Sequence, residues 1–212
     1  SRFRVKDGMA VIEGEQTIPG VSGTAAPIRL DFLNPGGATS GKLLPTGNTV
    51  DQLDVPGIGR IDVSMVDAAN GCLFIEASAL GLTATELPDV LEANKEAMAA
   101  LEAIRRAAAV AMGLAKNPES TPQGNPKVAI VAAPAPFKTI SGLEVPAGDC
   151  DLLVRMISMG QCHRVLPLTG GLCAGVACRL EGSTAARNFK SSGDAIRLGT
   201  PSGILSVDAE VL

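Results

Sequence analysis

The stretch Leu168-Thr169-Gly170-Gly171 opens an uncharged run of mostly small residues that extends to Cys178. If this run is a helix, its first turn carries N–H groups without intrahelical acceptors and a partial positive charge. Thr169, Gly170 and Gly171 then offer amide hydrogens to a carboxylate or a phosphate. An alternative needs no ligand, because Thr169 could cap the helix while the glycines serve tight packing. The motif matches neither a Gly-Lys-Ser/Thr phosphate loop nor a GxGxxG dinucleotide fingerprint.

His163 is the only histidine in the chain and precedes Thr169 by six residues. We expect it on the loop or strand end that leads to the helix, where it could bind an anionic substrate or move a proton. A structural role is the alternative. The adjacent Cys162 would point to the opposite face of a strand, which disfavours a Cys/His pair.

Three turns offer further polar contacts. One contains Asn70, between two runs that look like strands, and a second contains Ser202 and Gly203, just before the last such run. The third is a compact turn with Thr46, Gly47 and Asn48. Each turn can also be a plain connection without a ligand, since Asn-Gly and Pro-Ser-Gly sequences commonly form turns.

The five cysteines are odd in number and form no CxxC pair. This pattern indicates reduced thiols and an intracellular, cytoplasmic setting. Cys72 begins a strand-like run, and Cys173 and Cys178 lie within the uncharged run, so we interpret all three as packing residues. A single histidine cannot build a multi-histidine metal site, and we predict no metal.

The elements that must position these residues form an α+β pattern. Residues 94–116 predict an amphipathic helix, and the uncharged run 170–178 predicts a helix buried on all sides. Alternating apolar and polar residues predict half-buried strands, usually antiparallel. A mostly antiparallel sheet wrapped around the central buried helix satisfies both patterns. The predicted strands cover residues 28–32, 61–65, 72–75, 127–132, 152–157, 196–198 and 205–211.

Composition narrows the possible functions. The chain has 212 residues, a net charge of −4 and 46% hydrophobic residues, so a sizeable core can form. Its acidity argues against nucleic acid as a partner, and its lack of Trp and Tyr leaves few stacking surfaces for bases. No apolar run approaches the roughly 20 residues that a membrane-spanning helix needs, so we predict no membrane contact.

An ordered set of short motifs resembles the PrpF family, the 2-methylaconitate isomerase group within the diaminopimelate-epimerase-like fold. No single motif is specific, but their order runs over nearly the whole chain. The motifs are residues 20–27 (GVSGTAAP), 31–35, 41–48 (GKLLPTGN), 66–70, 80–83, 101–105, 158–160, 163, 168–170 and 199–203 (GTPSG).

The resemblance implies two similar domains, each a mostly antiparallel sheet curled around a central helix. Residues 1–56 would close the first domain. Residues 57–212 would form the second, with its central helix near 170–180.

The resemblance also implies an isomerase without metal or organic cofactor, which moves a proton along an allylic carboxylic acid. Substrates would be small dicarboxylates or tricarboxylates such as 2-methylaconitate, aconitate, methylitaconate or oxalomesaconate. A homodimer and a functional link to an aconitase-like enzyme are further expectations. The expected substrate-binding residues are Thr46, Gly47, Asn48, Asn70, His163, Thr169, Gly170, Gly171, Ser202 and Gly203.

The chain departs from the family pattern at two places. Family members are longer and carry Arg-Gly-Gly-Thr-Ser-Lys and Asn-Cys-Gly-Asn motifs, whose lysine and cysteine are the candidate acid and base. Neither motif occurs here, and the chain stops before the usual closing Arg-Thr-Ala-Arg segment. We therefore expect a chain truncated at both ends, with no catalytic residue of its own and no activity alone.

Two other functions remain open. The chain could be a non-catalytic module that binds carboxylates or assists a partner enzyme. It could also be a racemase or epimerase of the same fold. Those enzymes use two facing cysteines, one near the start of the central helix, where this chain has Thr169-Gly170-Gly171.

Overall fold

The computed structural model describes residues 1–190, 193 and 195–211. Four α-helices and twelve strands alternate along this part of the chain, with short 3₁₀ turns between some of them. The helices are α1 (Pro88–Ala93), α2 (Lys95–Ala111), α3 (Leu168–Arg179) and α4 (Thr184–Asn188). The strands are β1 (Val5–Lys6), β2 (Met9–Ala10), β3 (Asp51–Val55), β4 (Gly59–Asp67), β5 (Gly71–Glu76), β6 (Lys127–Ala132), β7 (Phe137–Lys138), β8 (Glu144–Val145), β9 (Leu152–Ser158), β10 (Gln161–Cys162), β11 (Ile196–Thr200) and β12 (Gly203–Val207).

One sheet organises the molecule. Its strand order is β12-β11-β9-β6-β5-β4-β3, and β10 pairs with the end of β9. Most neighbours are antiparallel, but β5 pairs with β6 and β9 pairs with β11 in parallel. The register places Cys72 beside Lys127 and Val128 beside Ile157. The structure thus confirms the α+β class and a sheet that is largely, but not wholly, antiparallel.

Helix α3 packs against one face of this sheet. Cys173, Ala174 and Ala177 are fully buried in a cluster with side chains of β4, β5, β6, β9 and β11. Strand β12 reaches the helix as well, since its Leu205 and Val207 lie against two of the helix glycines. The sheet therefore curls around α3, as the absence of charge along residues 170–178 predicts.

Helix α2 covers the opposite face with Leu101, Ile104 and Ala108, which are fully buried. The sequence pattern predicts a helix over 94–116, whereas α2 spans Lys95–Ala111. It begins there because the Asn94 side chain caps it, accepting a hydrogen bond from the Ala97 amide. It ends early because Gly113 turns the chain with a φ of 73°.

The first fifty residues form little regular structure. Strands β1 and β2 have two residues each, and the strand predicted over 28–32 is absent apart from a single bridge between Arg2 and Arg29. The prediction rested on the alternation of apolar and polar residues and is wrong, because Ile28, Leu30 and Phe32 are exposed and face no core. Similarly, the strand predicted over 205–211 ends at Val207.

The division after residue 56 stays a prediction. Strand β3 pairs with β4 from Asp51, opposite Val63, to Val55, opposite Gly59. The β3–β4 hairpin therefore lies across this division. The segment before β3 is held to the sheet by the buried carboxylate of Asp67. Its Oδ2 accepts hydrogen bonds from the Thr39 amide (2.7 Å) and the Ser40 hydroxyl (2.9 Å). Residues 36–43 are thereby fixed to the end of β4.

Candidate functional site

The start of α3 leaves three amides open. Pro167 is the N-cap residue, and its carbonyl accepts the first bond from the Gly171 amide at 2.8 Å. Across the described residues, the amides of Leu168, Thr169 and Gly170 have no acceptor. Thr169 lies inside the helix and makes no capping bond, so the alternative in which Thr169 caps the helix is wrong. Open amides at a helix start are suited to binding an anion.

The glycines of α3 are needed for packing. A β-carbon placed on Gly170 would lie 2.5 Å from the Met156 sulfur, and one on Gly171 would lie 3.1 Å from the Leu205 side chain. Both glycines are buried. Close packing therefore accounts for the missing side chains, while the open amides are a separate property of the same turn.

His163 lies beside this turn, as the sequence predicts. Its amide donates to the Met156 carbonyl at 2.8 Å, which continues the β9–β10 pairing and puts its side chain on the α3 face of the sheet. The imidazole Nε2 is buried and has no hydrogen-bond partner in the described part of the chain. Burial, and secondarily the charge of Lys127, lowers the pKa of His163, which favours the neutral ring.

Lys127 and Ser158 join His163 on this face, and neither was predicted from the sequence. The β6–β9 register puts them opposite each other, and Lys127 Nζ lies 3.4 Å from Ser158 Oγ. Nζ also lies 3.3 Å from the Gly124 carbonyl oxygen. The available signal was alternation: Lys127 precedes a strand in which Ala129 and Val131 face α3, so its side chain must face α3 too.

The Ser202 turn also lies close to the helix start. The Ser202 hydroxyl donates to the Arg164 carbonyl at 2.6 Å, and Thr200 Oγ1 donates to the Gly203 carbonyl at 2.8 Å. The Ser202 proton is therefore occupied in holding the loop that follows His163. Gly203, with a φ of 134°, packs on Pro19. In this arrangement both residues shape the neighbouring loop.

Asn70 lies in the turn between β4 and β5, directly after Ala69, whose φ is 61°. Two residues later Cys72 pairs with Lys127, so Asn70 belongs to the sheet edge at which β6 begins. The structure thus places Asn70, Lys127 and His163 at the same edge of the sheet.

The turn with Thr46, Gly47 and Asn48 is not brought to this edge. Thr46 Oγ1 and Asn48 Nδ2 donate to the two carboxylate oxygens of Asp51, at 2.6 and 2.7 Å. The residue after this turn, Thr49, lies near the segment between α3 and α4, since a β-carbon on Gly182 would lie 3.6 Å from its Oγ1. The link consists of Ser64 Oγ, which donates to the Thr49 carbonyl at 2.6 Å and accepts from the Thr184 amide at 2.9 Å.

An ion-pair cluster holds the loop between β10 and α3. Arg164 contacts Asp89 at 2.6 Å and Glu92 at 2.7 Å, and the Cys162 amide donates to Glu92 Oε1 at 2.9 Å. The hydrogen bond from Arg164 is the main reason that the pKa of Glu92 is lowered. Helix α1, which carries both acids, thereby fixes the strand end that bears His163.

The cysteines are buried and are unsuited to form nucleophilic thiolates. The pKa of Cys72 is raised by its hydrogen bond with Cys173 and by burial, while burial raises the pKa of Cys162 to about 11 and that of Cys178 to about 12. Cys173 lies within α3 and directs its thiol to the Val66 carbonyl, 3.4 Å away. This arrangement does not resemble two cysteines facing each other across a substrate.

Metal ligands and membrane spans are both missing from residues 1–190, 193 and 195–211. Within these ranges, no three His, Cys, Asp or Glu side chains group in a way that could hold a metal ion. Over the same part of the chain, no helix is long and apolar enough to traverse a bilayer.

A mixed sheet curled around a buried helix, with open amides at the helix start, defines the class: an α+β protein with the diaminopimelate-epimerase-like fold. The crystal structure of methylitaconate-delta-isomerase superposes on this chain with a TM-score of 0.94 at 36% identity, over 99% of this chain and 56% of that one. The family model described as PrpF protein matches residues 1–211. The chain therefore belongs to the PrpF family.

Curated relatives agree with this assignment. The chain is 38% identical to the 2-methyl-aconitate isomerase of Shewanella oneidensis over 216 residues, which cover 98% of this chain and 54% of the relative. It is 37% identical to the 3-methylitaconate isomerase of Eubacterium barkeri over 213 residues, which cover 98% and 56%. The (4E)-oxalomesaconate Delta-isomerase of a Novosphingobium strain is 31% identical over 183 residues, which cover 86% and 46%. The chain spans about half the length of the curated relatives it matches.

Proposed function

We propose that this chain belongs to an isomerase of small unsaturated dicarboxylates or tricarboxylates, of the 2-methylaconitate or methylitaconate type. The reaction moves a proton along an allylic carboxylic acid and needs no cofactor. Relatives that align with nearly the whole chain are named as isomerases of such acids. The observation that carries the proposal is the set of open amides of Leu168, Thr169 and Gly170 beside the His163 imidazole, whose Nε2 is buried and has no partner among the described residues.

The chemistry explains why such a site suits the reaction. Removing a proton next to a carboxylate-bearing double bond builds negative charge on the carboxylate oxygens. Amide groups fixed at a helix start stabilise this charge without reorganising, in the manner of an oxyanion hole. In this proposal the α3 amides hold the carboxylate at which charge develops, and His163 and Asn70 orient the ligand. The acid and base that exchange the proton with carbon are supplied by residues outside this chain.

The amides can be tested one at a time. Leu168 is the first residue of α3, is 46% exposed and follows an N-cap with a ψ of 140°. Proline is well tolerated at this position and removes only the N–H. We expect Leu168→Pro to weaken binding of mesaconate, an unsaturated dicarboxylate, about three- to tenfold, by deleting one donor to a charged oxygen. Binding is measured by isothermal titration calorimetry.

The matched control is Leu168→Ala, which shortens the same side chain but keeps the amide. It should bind mesaconate like the unsubstituted chain. Equal affinity for the proline and alanine variants, both folded by circular dichroism, would contradict the proposed amide cradle. An unsubstituted chain that binds no unsaturated carboxylate would contradict the proposed function itself.

A further inference from the structure

Lys127 is a less well satisfied cation than the other well-packed cations among the described residues. It is partly buried at the beginning of β6, yet no carboxylate of the described residues lies within 4 Å of its ammonium. By contrast, Arg105 is paired with Glu102 at 2.7 Å and Arg197 with Asp151 at 2.8 Å. Among the described residues, the fully buried Arg155 has no carboxylate partner within 4 Å, but its guanidinium donates to the Glu86 carbonyl at 2.7 Å and to the Val154 carbonyl at 3.0 Å. Within the described part of the chain, Lys127 has only a carbonyl at 3.3 Å and a hydroxyl at 3.4 Å, both long for a charged donor with three hydrogens.

The surroundings of Lys127 suit an anion. Ser158, opposite it, is 8% exposed and offers a hydroxyl, and the buried Nε2 of His163 is unpartnered among the described residues. All three side chains lie on the α3 face of the sheet. A partly desolvated ammonium without a counter-charge is costly, and a bound carboxylate would offset that cost.

The spacing of residues along β9 relates the cluster of Lys127, Ser158 and His163 to the start of α3. Met156 contacts the Gly170 position, and Ser158 lies two residues further along the same strand, which is about 7 Å. A flexible lysine side chain can shorten this separation. The open amides and the Lys127 ammonium are therefore within reach of the two ends of one small diacid.

We propose that Lys127, assisted by Ser158, binds a second carboxylate of the ligand whose first carboxylate lies at the α3 amides. Lys127 is then the residue that makes the site select dicarboxylates over monocarboxylates. This inference rests on the proposed function and adds to it the residue that determines substrate class.

The test compares itaconate with methacrylate, which has the same unsaturated acid end but a methyl group in place of the carboxymethyl group. Affinities are measured at pH 7.5 from the shift of the single histidine Cε1 proton in NMR titrations. We expect the unsubstituted chain to prefer itaconate at least tenfold, because a charge-assisted hydrogen bond is worth about that much. Lys127→Met should abolish the preference, because it weakens itaconate binding far more than methacrylate binding.

Lys116→Met is the matched control, because Lys116 is exposed and lies outside the strands that form this cluster. It should keep the preference. If Lys127→Met does not fold, Lys127→Gln takes its place. A preference retained without the Lys127 charge would overturn the inference while leaving the proposed function intact. Failure of the unsubstituted chain to bind either acid would overturn both.

Discussion

Among the side chains near the start of α3, His163 is the one that titrates closest to neutral pH. A neutral imidazole has one donor and one acceptor nitrogen, so it can serve a carboxylic acid in either protonation state. Burial and the nearby Lys127 ammonium both oppose its protonation. The pKa of His163 therefore reports two properties of the site, its positive charge and its exclusion of water.

This gives a prediction for the histidine titration. We expect the Cε1 proton of His163 to titrate below pH 6.5, and Lys127→Met to move the midpoint upward by removing a repulsive charge. Because His163 is the only histidine, its assignment is unambiguous. Lys116→Met should leave the midpoint unchanged. A midpoint above 6.5 in the unsubstituted chain would show that the ring faces anions instead.

The same shift has a consequence for stability. A base whose folded pKa is lowered costs nothing above its unfolded pKa, where both states are neutral. Below pH 6.5 the unfolded chain takes up the proton more readily, so His163 lowers the free energy of unfolding as the pH falls.

The positions of His163 and of the α3 glycines were predictable from the sequence, because the chain has one histidine and the uncharged run that holds the glycines is distinctive. The orientation of the Lys127 side chain was not predicted, since a lysine that precedes an apolar strand most often lies in solvent. Only the pairing of β6 with β9, which depends on contacts distant in sequence, shows that this lysine faces Ser158. Polar composition predicts a site at the Thr46 turn, whereas the structure shows Thr46 and Asn48 bonded to Asp51.

At the scale of elements, α3 is held by close contacts at glycine positions. A β-carbon on Gly175 would lie 2.9 Å from the Val207 side chain, which is branched and cannot easily rotate away. The helix can approach β12 this closely only because the glycine is there.

We therefore expect Gly175→Ala to lower the free energy of unfolding by about 1–3 kcal/mol, although alanine is the better helix former. Gly148→Ala is the control, because a β-carbon there meets nothing within 4 Å. Urea denaturation of both variants measures the difference. Stabilisation by Gly175→Ala would mean that α3 and β12 leave room for a methyl group between them.

Long patterned elements were the most predictable part of the fold. The buried helix and strands β4, β5, β6, β9 and β11 lie where apolar period and length place them. The ends of α2 and the stretch 28–32 were not predictable from pattern alone, since a cap, a glycine turn or the presence of a core decides them. Parallel pairing of β5 with β6 likewise depends on the connection through α1 and α2.

At the scale of the whole molecule, two observations belong together. The chain spans about half the length of its curated relatives. Its first 33 residues expose many large apolar side chains: Phe3, Val5, Met9, Ile12, Ile18, Val21, Ile28, Leu30, Phe32 and Leu33. Among the described residues, the site also faces no thiolate, and the imidazole is a weakened base.

We accordingly expect the 212-residue chain alone to bind unsaturated dicarboxylates without converting them. Incubation with methylitaconate in deuterium oxide, followed by proton NMR, should show no isomer and no deuterium incorporation over that of buffer. Mesaconate binding by the same preparation, weaker in Leu168→Pro than in Leu168→Ala, provides the control that the site is formed. Turnover by this chain would place the acid and base within its own residues.

The contact of Pro19 and Gly20 with Gly203, Ser202 and Val165 bears on how the protein is handled. A β-carbon on Gly20 would lie 2.7 Å from the Val165 side chain, so the early segment rests on the rim of the proposed ligand site. Trimming the amino terminus to improve solubility, or cleavage there during purification, would remove part of this rim. Shortened versions that retain the sheet and its helices should thus be compared with the 212-residue chain before their affinities are trusted.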